Sequence, residues 1–224
     1  MESESAQPQM AASLVLVSAS PRRQQLLRFL GIPFEVRPVS VREMDAVELT
    51  GREQALLNAT LKAVIGSERF PDRTVLGADT VVCLDEHVLG KPRDLDHARE
   101  MLRRLSGREH QVITGVCLAL REKERFWAFA ETTRVWFRPL RDEEIERYLQ
   151  QVHVLDKAGA YAIQEHGEII IERVEGSWSN VVGLPLERLA RELEEWFGLP
   201  KGFLEYGLKE KTLGEGGENR EEEV

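Results

Sequence analysis

The stretch LVLVSASPRRQQLLRFLG, residues 14–31, joins an apolar run to an amphipathic segment through a short polar turn. A short apolar run bounded by a polar turn predicts a buried β-strand. Ser20 followed by Pro21 is typical of a helix N-cap with proline at the first helical position, and Gly31 is placed to end that helix. These residues therefore predict a strand that leads into the N-terminus of a helix.

Two adjacent arginines, Arg22 and Arg23, lie in the first turn of this predicted helix. Their charges oppose the helix dipole, whose positive end and free backbone N–H groups favour an anion at the same place. A phosphate would resolve the conflict, because arginine binds phosphate oxygens in a bidentate manner. The alternative is that both arginines belong to a solvated helix surface.

Strands and helices alternate along the rest of the chain, as judged from apolar periods of 2 and 3.6 residues. The predicted strands cover residues 14–17, 34–38, 74–84, 111–121, 124–137 and 169–174, with a hairpin return in DEHVLGKP, residues 85–92. The predicted helices cover residues 21–30, 53–67, 95–105, 142–151 and 185–197. This mixture predicts an α/β protein built on a mixed, twisted sheet with flanking helices.

The sequence predicts a single domain over residues 13–207, because this segment contains no internal repeat and no linker that would divide it. Residues 1–12 and 208–224 lack an apolar period, and the second segment is strongly acidic. Both are predicted as disordered tails.

Composition excludes several classes of function. The formal net charge of −9 argues against a general nucleic-acid binder. No apolar run approaches the ~20 residues of a membrane span, and the N-terminus lacks a signal pattern. Cys83 and Cys117 lie in apolar runs and are predicted as buried thiols, with a disulfide as the alternative. We therefore expect a cytoplasmic protein with no nucleic-acid or membrane partner.

Asp79 interrupts the apolar strand TVLGADTVVCL, residues 74–84. A carboxylate at this place is costly unless it is solvated in a cleft, bound to a metal or hydrogen-bonded. The alternative is a bend in the chain at Gly77 and Asp79. Glu43, Lys62 and Lys91 are, taken singly, typical of solvated surface charges.

Gln164 ends the motif KAGAYAIQ, residues 157–164. Its planar amide could read a base edge through its donor and its acceptor, or it could be satisfied by the backbone at a strand end. The sequence contains neither a Walker loop nor a dinucleotide fingerprint. Its five histidines show no metal-ligand spacing.

Six motifs together resemble the Maf family of nucleoside triphosphate pyrophosphatases: SASPRRQQLL, LGADTVV, GKPRD, AREMLRRLSG, KAGAYAIQ and GSWSNVVGLPL. The match runs from about residue 14 to residue 197. It implies a fold similar to that of inosine-triphosphate pyrophosphatases, in which two lobes flank a nucleotide cleft. It also implies a nucleoside triphosphate substrate, a divalent metal (Mg²⁺ or Mn²⁺) and a homodimer.

The resemblance also implies roles for individual residues. Four residues match the catalytic positions, the first two of which also hold metal and water: Glu43, Asp79, Lys62 and Lys91. Six residues match positions that contact substrate: Ser18, Ser20, Arg22, Arg23, Thr80 and Gln164. In this scheme the serines and arginines hold phosphate, and the lysines neutralise the triphosphate.

Three short sequences distinguish two branches of the family. This chain has ADT at residues 78–80, IQ at 163–164 and GS at 176–177, which is similar to the dTTP/UTP branch. The branch that acts on 7-methyl-GTP has Ser-Asp-Gln, lacks the Ile-Gln pair and has Gly-Arg at these places. The resemblance therefore implies hydrolysis of dTTP and UTP, and of modified pyrimidine nucleotides as a further possibility, by water attack on the α-phosphorus. The alternative is a regulatory protein linked to cell-division arrest, which binds a nucleotide or a partner with little turnover.

Overall fold

A strand–helix unit opens the fold. β1 (Leu14–Leu16) is fully buried, and α1 (Pro21–Phe29) begins after Ser20, whose Oγ accepts a hydrogen bond from the Arg23 backbone N–H at 3.4 Å. Beyond the other end of the helix, Gly31 has a φ of 71°, a left-handed conformation that favours glycine. The sequence prediction for this unit is confirmed.

The computed structural model describes residues 14–44 and 48–204, so the tails predicted at 1–12 and 208–224 lie outside the described residues. Among the described helices, none combines the length and the apolar character that a membrane span requires. The remaining elements are, in chain order, β2 (Glu35–Val36), α2 (Gly51–Arg69), β3 (Thr74–Leu84), β4 (His87–Leu89), α3 (Leu95–Leu105), β5 (Glu109–Leu120), β6 (Arg125–Phe137), α4 (Asp142–Gln151), α5 (Gly167–Ile170), β7 (Ile171–Glu175), α6 (Trp178–Val182) and α7 (Leu186–Phe197), with 3₁₀ turns at Arg121–Lys123 and Ala158–Ala160.

One predicted strand begins later than the sequence indicates. The strand predicted over residues 169–174 is preceded by α5, so that β7 begins only at Ile171. His166 has a φ of 54° and turns the chain into this short helix, and the Ile171 N–H then closes the helix by donating to the Gly167 carbonyl. The apolar residues of this region therefore form a helical turn followed by a strand.

Within the described residues, seven strands form one sheet in the order β2-β1-β3-β5-β6-β7, with β4 paired to β3. β1 runs parallel to both β2 and β3, whereas the pairs from β3 through β7 are antiparallel. β4 forms the predicted hairpin return. The predicted mixed sheet is therefore confirmed. β3 is continuous through Gly77 and Asp79, so the alternative of a bend at this place is wrong.

Two apolar cores share one face of the sheet and are separated along β3. Leu76 and Ala78 belong to the first core, with α1 and α7, and Val82 and Leu84 belong to the second, with α3 and α4. Thr80 lies between them on the same face, because alternate residues of a strand point to the same side. The two lobes that the family resemblance implies stay a prediction.

The opposite face of the sheet is covered by α2, which approaches the strands at two glycines. A Cβ atom at Gly77 would lie 2.4 Å from the Ala59 carbonyl oxygen, and one at Gly115 would lie 2.2 Å from the Ala55 carbonyl oxygen. Glycine therefore lets the helix backbone lie directly on the sheet beside Asp79.

The predicted thiols also lie in the sheet: Cys83 and Cys117 are buried and unpaired among the described residues.

Replacing Gly115 by alanine is expected to destabilise the protein by about 1–3 kcal/mol, the usual cost of overpacking a core. The added methyl group meets backbone atoms of α2, which cannot rotate away as a side chain can. Denaturant unfolding measures the change. Gly90→Ala is the matched control, because a Cβ there meets no heavy atom within 4 Å. Equal stability of the two variants would contradict the close approach of α2.

Candidate functional site

A cleft of about 710 Å³ opens beside the middle of β3. Every site residue named from the sequence lines it: Ser18, Ser20, Arg22, Arg23, Glu43, Lys62, Asp79, Thr80, Lys91 and Gln164. Among the described residues that line the cleft, five side chains are cationic and three are acidic. The cleft thus carries a local excess of positive charge in a chain whose formal net charge is −9.

Lys62 joins the two predicted catalytic carboxylates. Its Nζ donates to Glu43 Oε1 at 2.6 Å and to Asp79 Oδ1 at 2.7 Å. The side chains of Lys62 and Asp79 are each only 10% exposed, so their charges interact in a largely dehydrated place. Lys62 therefore pairs with two acids and does not extend to solvent as a surface lysine would.

Asn58 is a site residue that the sequence reasoning missed. It lies one helical turn before Lys62 on α2, is buried, and donates from Nδ2 to Asp79 Oδ2 at 3.4 Å. Its amide also pairs with both backbone polar groups of Met44, at 2.8 and 3.1 Å. Asn58 thus fixes the backbone next to Glu43. An amide within an apolar helix face is the signal that could have identified it.

Glu43 is half exposed and lies at the edge of the cleft. Partial burial acts to raise the pKa of Glu43, but the hydrogen bond and charge of Lys62 outweigh it, with a further contribution from Lys91, so that this pKa lies below its ordinary value. The side chain is therefore a carboxylate at neutral pH, able to bind a cation.

Arg23 is partly buried, and neutral oxygens hold its guanidinium. Its guanidinium donates to the Gly183 carbonyl at 2.9 Å, to Thr80 Oγ1 at 2.9 Å and to Ser18 Oγ at 3.2 Å. Burial lowers the pKa of Arg23, and the negative charge of Asp79 partly restores it. The alternative of a solvated helix surface is wrong for Arg23, because its guanidinium is hydrogen-bonded to the protein and lines the cleft.

Thr80 supports Arg23. Its Oγ1 also lies 3.0 Å from Oγ1 of the buried Thr114, which donates to the Asn180 carbonyl at 3.2 Å. Because Thr114 already donates its own hydrogen, its Oγ1 accepts a hydrogen bond from the Thr80 hydroxyl, and the Thr80 oxygen accepts from Arg23. A direct contact between Thr80 and substrate stays a prediction.

Arg22 crosses the cleft and pairs with Asp156 at 2.9 Å. Asp156 also accepts from Nζ of Lys157 at 2.9 Å. Partial burial acts to raise the pKa of Asp156, but the hydrogen bonds from Lys157 and Arg22 lower it to about 2. Lys157, which is buried and begins the KAGAYAIQ motif, was missed as a site residue because surface lysines are common. In this structure the Asp156 carboxylate takes the place beside Arg22 that an anionic ligand could take.

Lys91 and Gln164 lie at the exposed rim of the cleft. The Gln164 side chain forms no hydrogen bond with any residue in the described ranges, so its predicted alternative as an amide satisfied by the backbone is wrong. Both side chains are free to contact a ligand.

Glu43 and Asp79 fit a divalent cation of the Mg²⁺ class. Such ions bind carboxylate oxygens and are often held by one or two carboxylates together with substrate phosphates. Within residues 14–44 and 48–204, no group of three or more His, Cys, Asp or Glu side chains could hold a metal. Two carboxylates supply only part of the oxygen ligands that such an ion takes.

Two solved structures align with most of this chain. The Staphylococcus aureus Ham1 protein matches with a TM-score of 0.49 at 15% identity, covering 82% of this chain and 98% of that one. A HAM1 protein from Coxiella burnetii matches with a TM-score of 0.48 at 14% identity, over the same shares of the two chains.

Curated relatives match at much higher identity. A protein of Carboxydothermus hydrogenoformans named dTTP/UTP pyrophosphatase is 46% identical over 183 residues, which are 82% of this chain and 98% of the relative. A Bacillus velezensis protein with the same name is 41% identical over 187 residues, 84% of this chain and 98% of the relative. The model of the family described as "Maf-like protein" matches residues 13–196, a range that includes every residue of the cleft described above, and the chain therefore belongs to the Maf family.

Proposed function

We propose that this chain is a nucleoside triphosphate pyrophosphatase that hydrolyses dTTP and UTP to the monophosphate and pyrophosphate. The curated relatives bear the name of this activity, and the chain matches them over nearly their whole length. The observation that carries the proposal is the ion cluster of the cleft, in which Lys62 bridges Glu43 and Asp79 within a cationic lining. Carboxylates beside cations suit the attack of water on the phosphoanhydride of a highly charged nucleotide.

The cationic side of the cleft would bind the triphosphate. The Arg23 guanidinium already lines the cleft. Arg22 would release the Asp156 carboxylate and bind phosphate oxygens in its place. Ser18 and Ser20, at the N-terminus of α1, would contribute hydroxyl and backbone donors. Lys91 at the rim would balance charge on the departing pyrophosphate.

The acidic side would act on water. Glu43 and Asp79 would hold Mg²⁺ or Mn²⁺, which supplies charge neutralisation at the α-phosphate when it is bound. One of the two carboxylates orients the water and accepts its proton as the water oxygen bonds to the α-phosphorus. The bond from that phosphorus to the bridging oxygen breaks, and pyrophosphate leaves with the electron pair. Lys62 keeps both carboxylates in place.

Gln164 would read the pyrimidine. Thymine and uracil present an O4 acceptor and an N3–H donor, whereas cytosine presents an N4 donor and an unprotonated N3 at the same edge. The Gln164 amide offers one donor and one acceptor and has no partner among the described residues. A site arranged for the first pattern leaves unpaired polar atoms against cytosine, which gives strong discrimination. Modified pyrimidines that keep this edge would also be accepted.

The decisive experiment incubates the protein with a nucleotide panel and Mg²⁺ and measures pyrophosphate release. We expect dTTP and UTP to be hydrolysed far better than dCTP or CTP. Gln164→Ala is expected to narrow this gap by lowering turnover of the preferred pair, as measured by kcat/KM for the four nucleotides. Gln25→Ala is the control, because Gln25 is exposed on α1 outside the cleft.

Two outcomes would count against these assignments. Nucleotide binding without pyrophosphate release would favour the regulatory alternative. An undiminished preference for dTTP and UTP in the Gln164→Ala protein would remove Gln164 from base reading.

A homodimer and a cytoplasmic location stay predictions, the second being supported by the two buried, unpaired thiols Cys83 and Cys117.

A further inference from the structure

The backbone just before Gln164 is held by one buried hydroxyl. Oη of Tyr148 accepts a hydrogen bond from the Ala162 N–H at 2.9 Å and donates to the Ala162 carbonyl at 3.2 Å. Both backbone polar groups of Ala162 are thus bound to a single side chain. Buried backbone groups are rarely left unpaired, so without the Tyr148 hydroxyl both groups of Ala162 would need other partners.

Tyr148 is well placed to be rigid. It lies on α4, is fully buried in the second apolar core, and does not contribute to the lining of the cleft. Burial raises the pKa of its hydroxyl, so the group keeps its proton at neutral pH and acts as donor and acceptor at once.

The preceding residue, Tyr161, is held by side chains of β5 and β6. Oη of Tyr161 lies 2.8 Å from Nε2 of the buried His110 on β5, and the ring of Tyr161 packs edge-on against Phe137 with centroids 4.9 Å apart. Earlier in the segment, the Gly159 N–H donates to the Gly90 carbonyl at 3.0 Å, next to Lys91. The chain is therefore anchored at residues 159, 161 and 162.

These anchors end two residues before Gln164. Ile163 is half buried, and Gln164 is exposed at the rim of the cleft. Because the Gln164 side chain has no partner among the described residues, the direction from which its amide enters the cleft follows from the backbone that Tyr148 holds. An anchored backbone fixes the place from which the Gln164 side chain extends, and so limits the positions that its amide can reach beside a base edge.

We propose that Tyr148 is a positioning residue for pyrimidine selectivity, acting through Ala162 on the placement of Gln164. This inference rests on the proposed function, in which Gln164 reads the base. Tyr148 does not contact the substrate in this scheme. Its hydroxyl holds the backbone in the position from which the Gln164 amide reaches the base edge of thymine or uracil.

Tyr148→Phe tests the inference, because it removes the hydroxyl and keeps the ring. We expect the ratio of kcat/KM for dTTP to that for dCTP to fall about 10- to 100-fold, the size of effect that a displacement near 1 Å has on a reacting complex. Ile145→Val is the matched control, since Ile145 is buried on the same helix and the change removes only a methylene from the core. The control should keep the wild-type ratio. An unchanged ratio in Tyr148→Phe would overturn the inference.

A double variant separates positioning from general destabilisation. If Tyr148 acts through Gln164, the Tyr148→Phe, Gln164→Ala protein should show the same nucleotide ratio as Gln164→Ala alone. Independent effects that multiply in the double variant would overturn the inference.

Hydrogen–deuterium exchange of the wild-type protein gives a test that needs no variant to fold. The Ala162 amide should exchange slowly before nucleotide is added, because its N–H is already donated to Tyr148. Exchange at the rate of a free loop amide would overturn the inference. A wild-type protein that hydrolyses dTTP and dCTP equally would instead contradict the proposed base preference, so the two failures are distinguishable.

Discussion

Asp79→Asn is expected to lower kcat/KM for dTTP by about 100- to 10,000-fold, the range for loss of a general acid–base group, with a larger loss if metal binding also fails. Asparagine has nearly the same shape, and its single amide oxygen can still accept from Lys62, while its NH₂ group replaces the oxygen that accepts from Asn58. It lacks the negative charge that holds a divalent cation and cannot take a proton from water. The measurement is pyrophosphate release with Mg²⁺.

The fold should survive this substitution. Lys62 would lose one carboxylate and keep the other, since its Nζ is also bound to Glu43 at 2.6 Å. Thermal unfolding monitored by circular dichroism checks this point. Asp85→Asn is the matched control, because Asp85 is an exposed aspartate of the β3–β4 turn outside the cleft. Wild-type rates in a folded Asp79→Asn protein would remove Asp79 from the mechanism.

The sequence predicted Asp79 because a charge within an apolar strand violates the local pattern. The structure adds the reason why the strand stays straight there. Gly77 is needed for the approach of α2 and does not form a turn, so β3 continues through both residues. A glycine within a strand pattern can mark either a turn or the close approach of another backbone, and only the packing of α2 against the sheet decides between the two.

The helix boundaries could be read closely where the sequence carries a cap and a long apolar period. The helices over Leu95–Leu105 and Asp142–Gln151 begin and end at the predicted residues. The short helix Trp178–Val182 has too few residues to show a period, and Ser177 was not recognised as its cap. The order of the strands could not be predicted, because it depends on contacts between residues far apart in sequence.

The missed site residues share one feature. Asn58 and Lys157 are polar side chains that are common on surfaces, and their burial depends on what the rest of the fold places over them. Lys157 Nζ donates to the His153 carbonyl and to Asp156, and Asn58 holds the backbone of Met44. Such contacts are tertiary, so no single stretch of sequence contains them. The arginine pair was identifiable because its conflict with the helix dipole is local.

The same pair supplies the second large effect. Arg23→Ala is expected to lower kcat/KM for dTTP roughly 30- to 700-fold, which corresponds to about 2–4 kcal/mol, because a partly buried guanidinium that binds phosphate is lost. Arg22→Ala should cost less, since Arg22 must first give up Asp156 to bind phosphate. Inhibition by added pyrophosphate measures the anion contact directly and should weaken in parallel with kcat/KM. Arg103→Ala is the control, because Arg103 is half exposed on α3 and lies outside the cleft.

Unfolding measurements distinguish a binding role of Arg23 from a structural one. A buried cation that is paired with neutral oxygens alone costs desolvation free energy that a nearby carboxylate would otherwise offset. Arg23 donates its hydrogen bonds to neutral oxygens, and the charge of Asp79 offsets only part of the burial that lowers the pKa of Arg23. The Arg23→Ala protein should therefore melt at or above the temperature of the wild type while its activity falls, as expected of a residue kept for function at some cost in stability. A clear drop in melting temperature that accounts for the lost activity would show that Arg23 serves the fold.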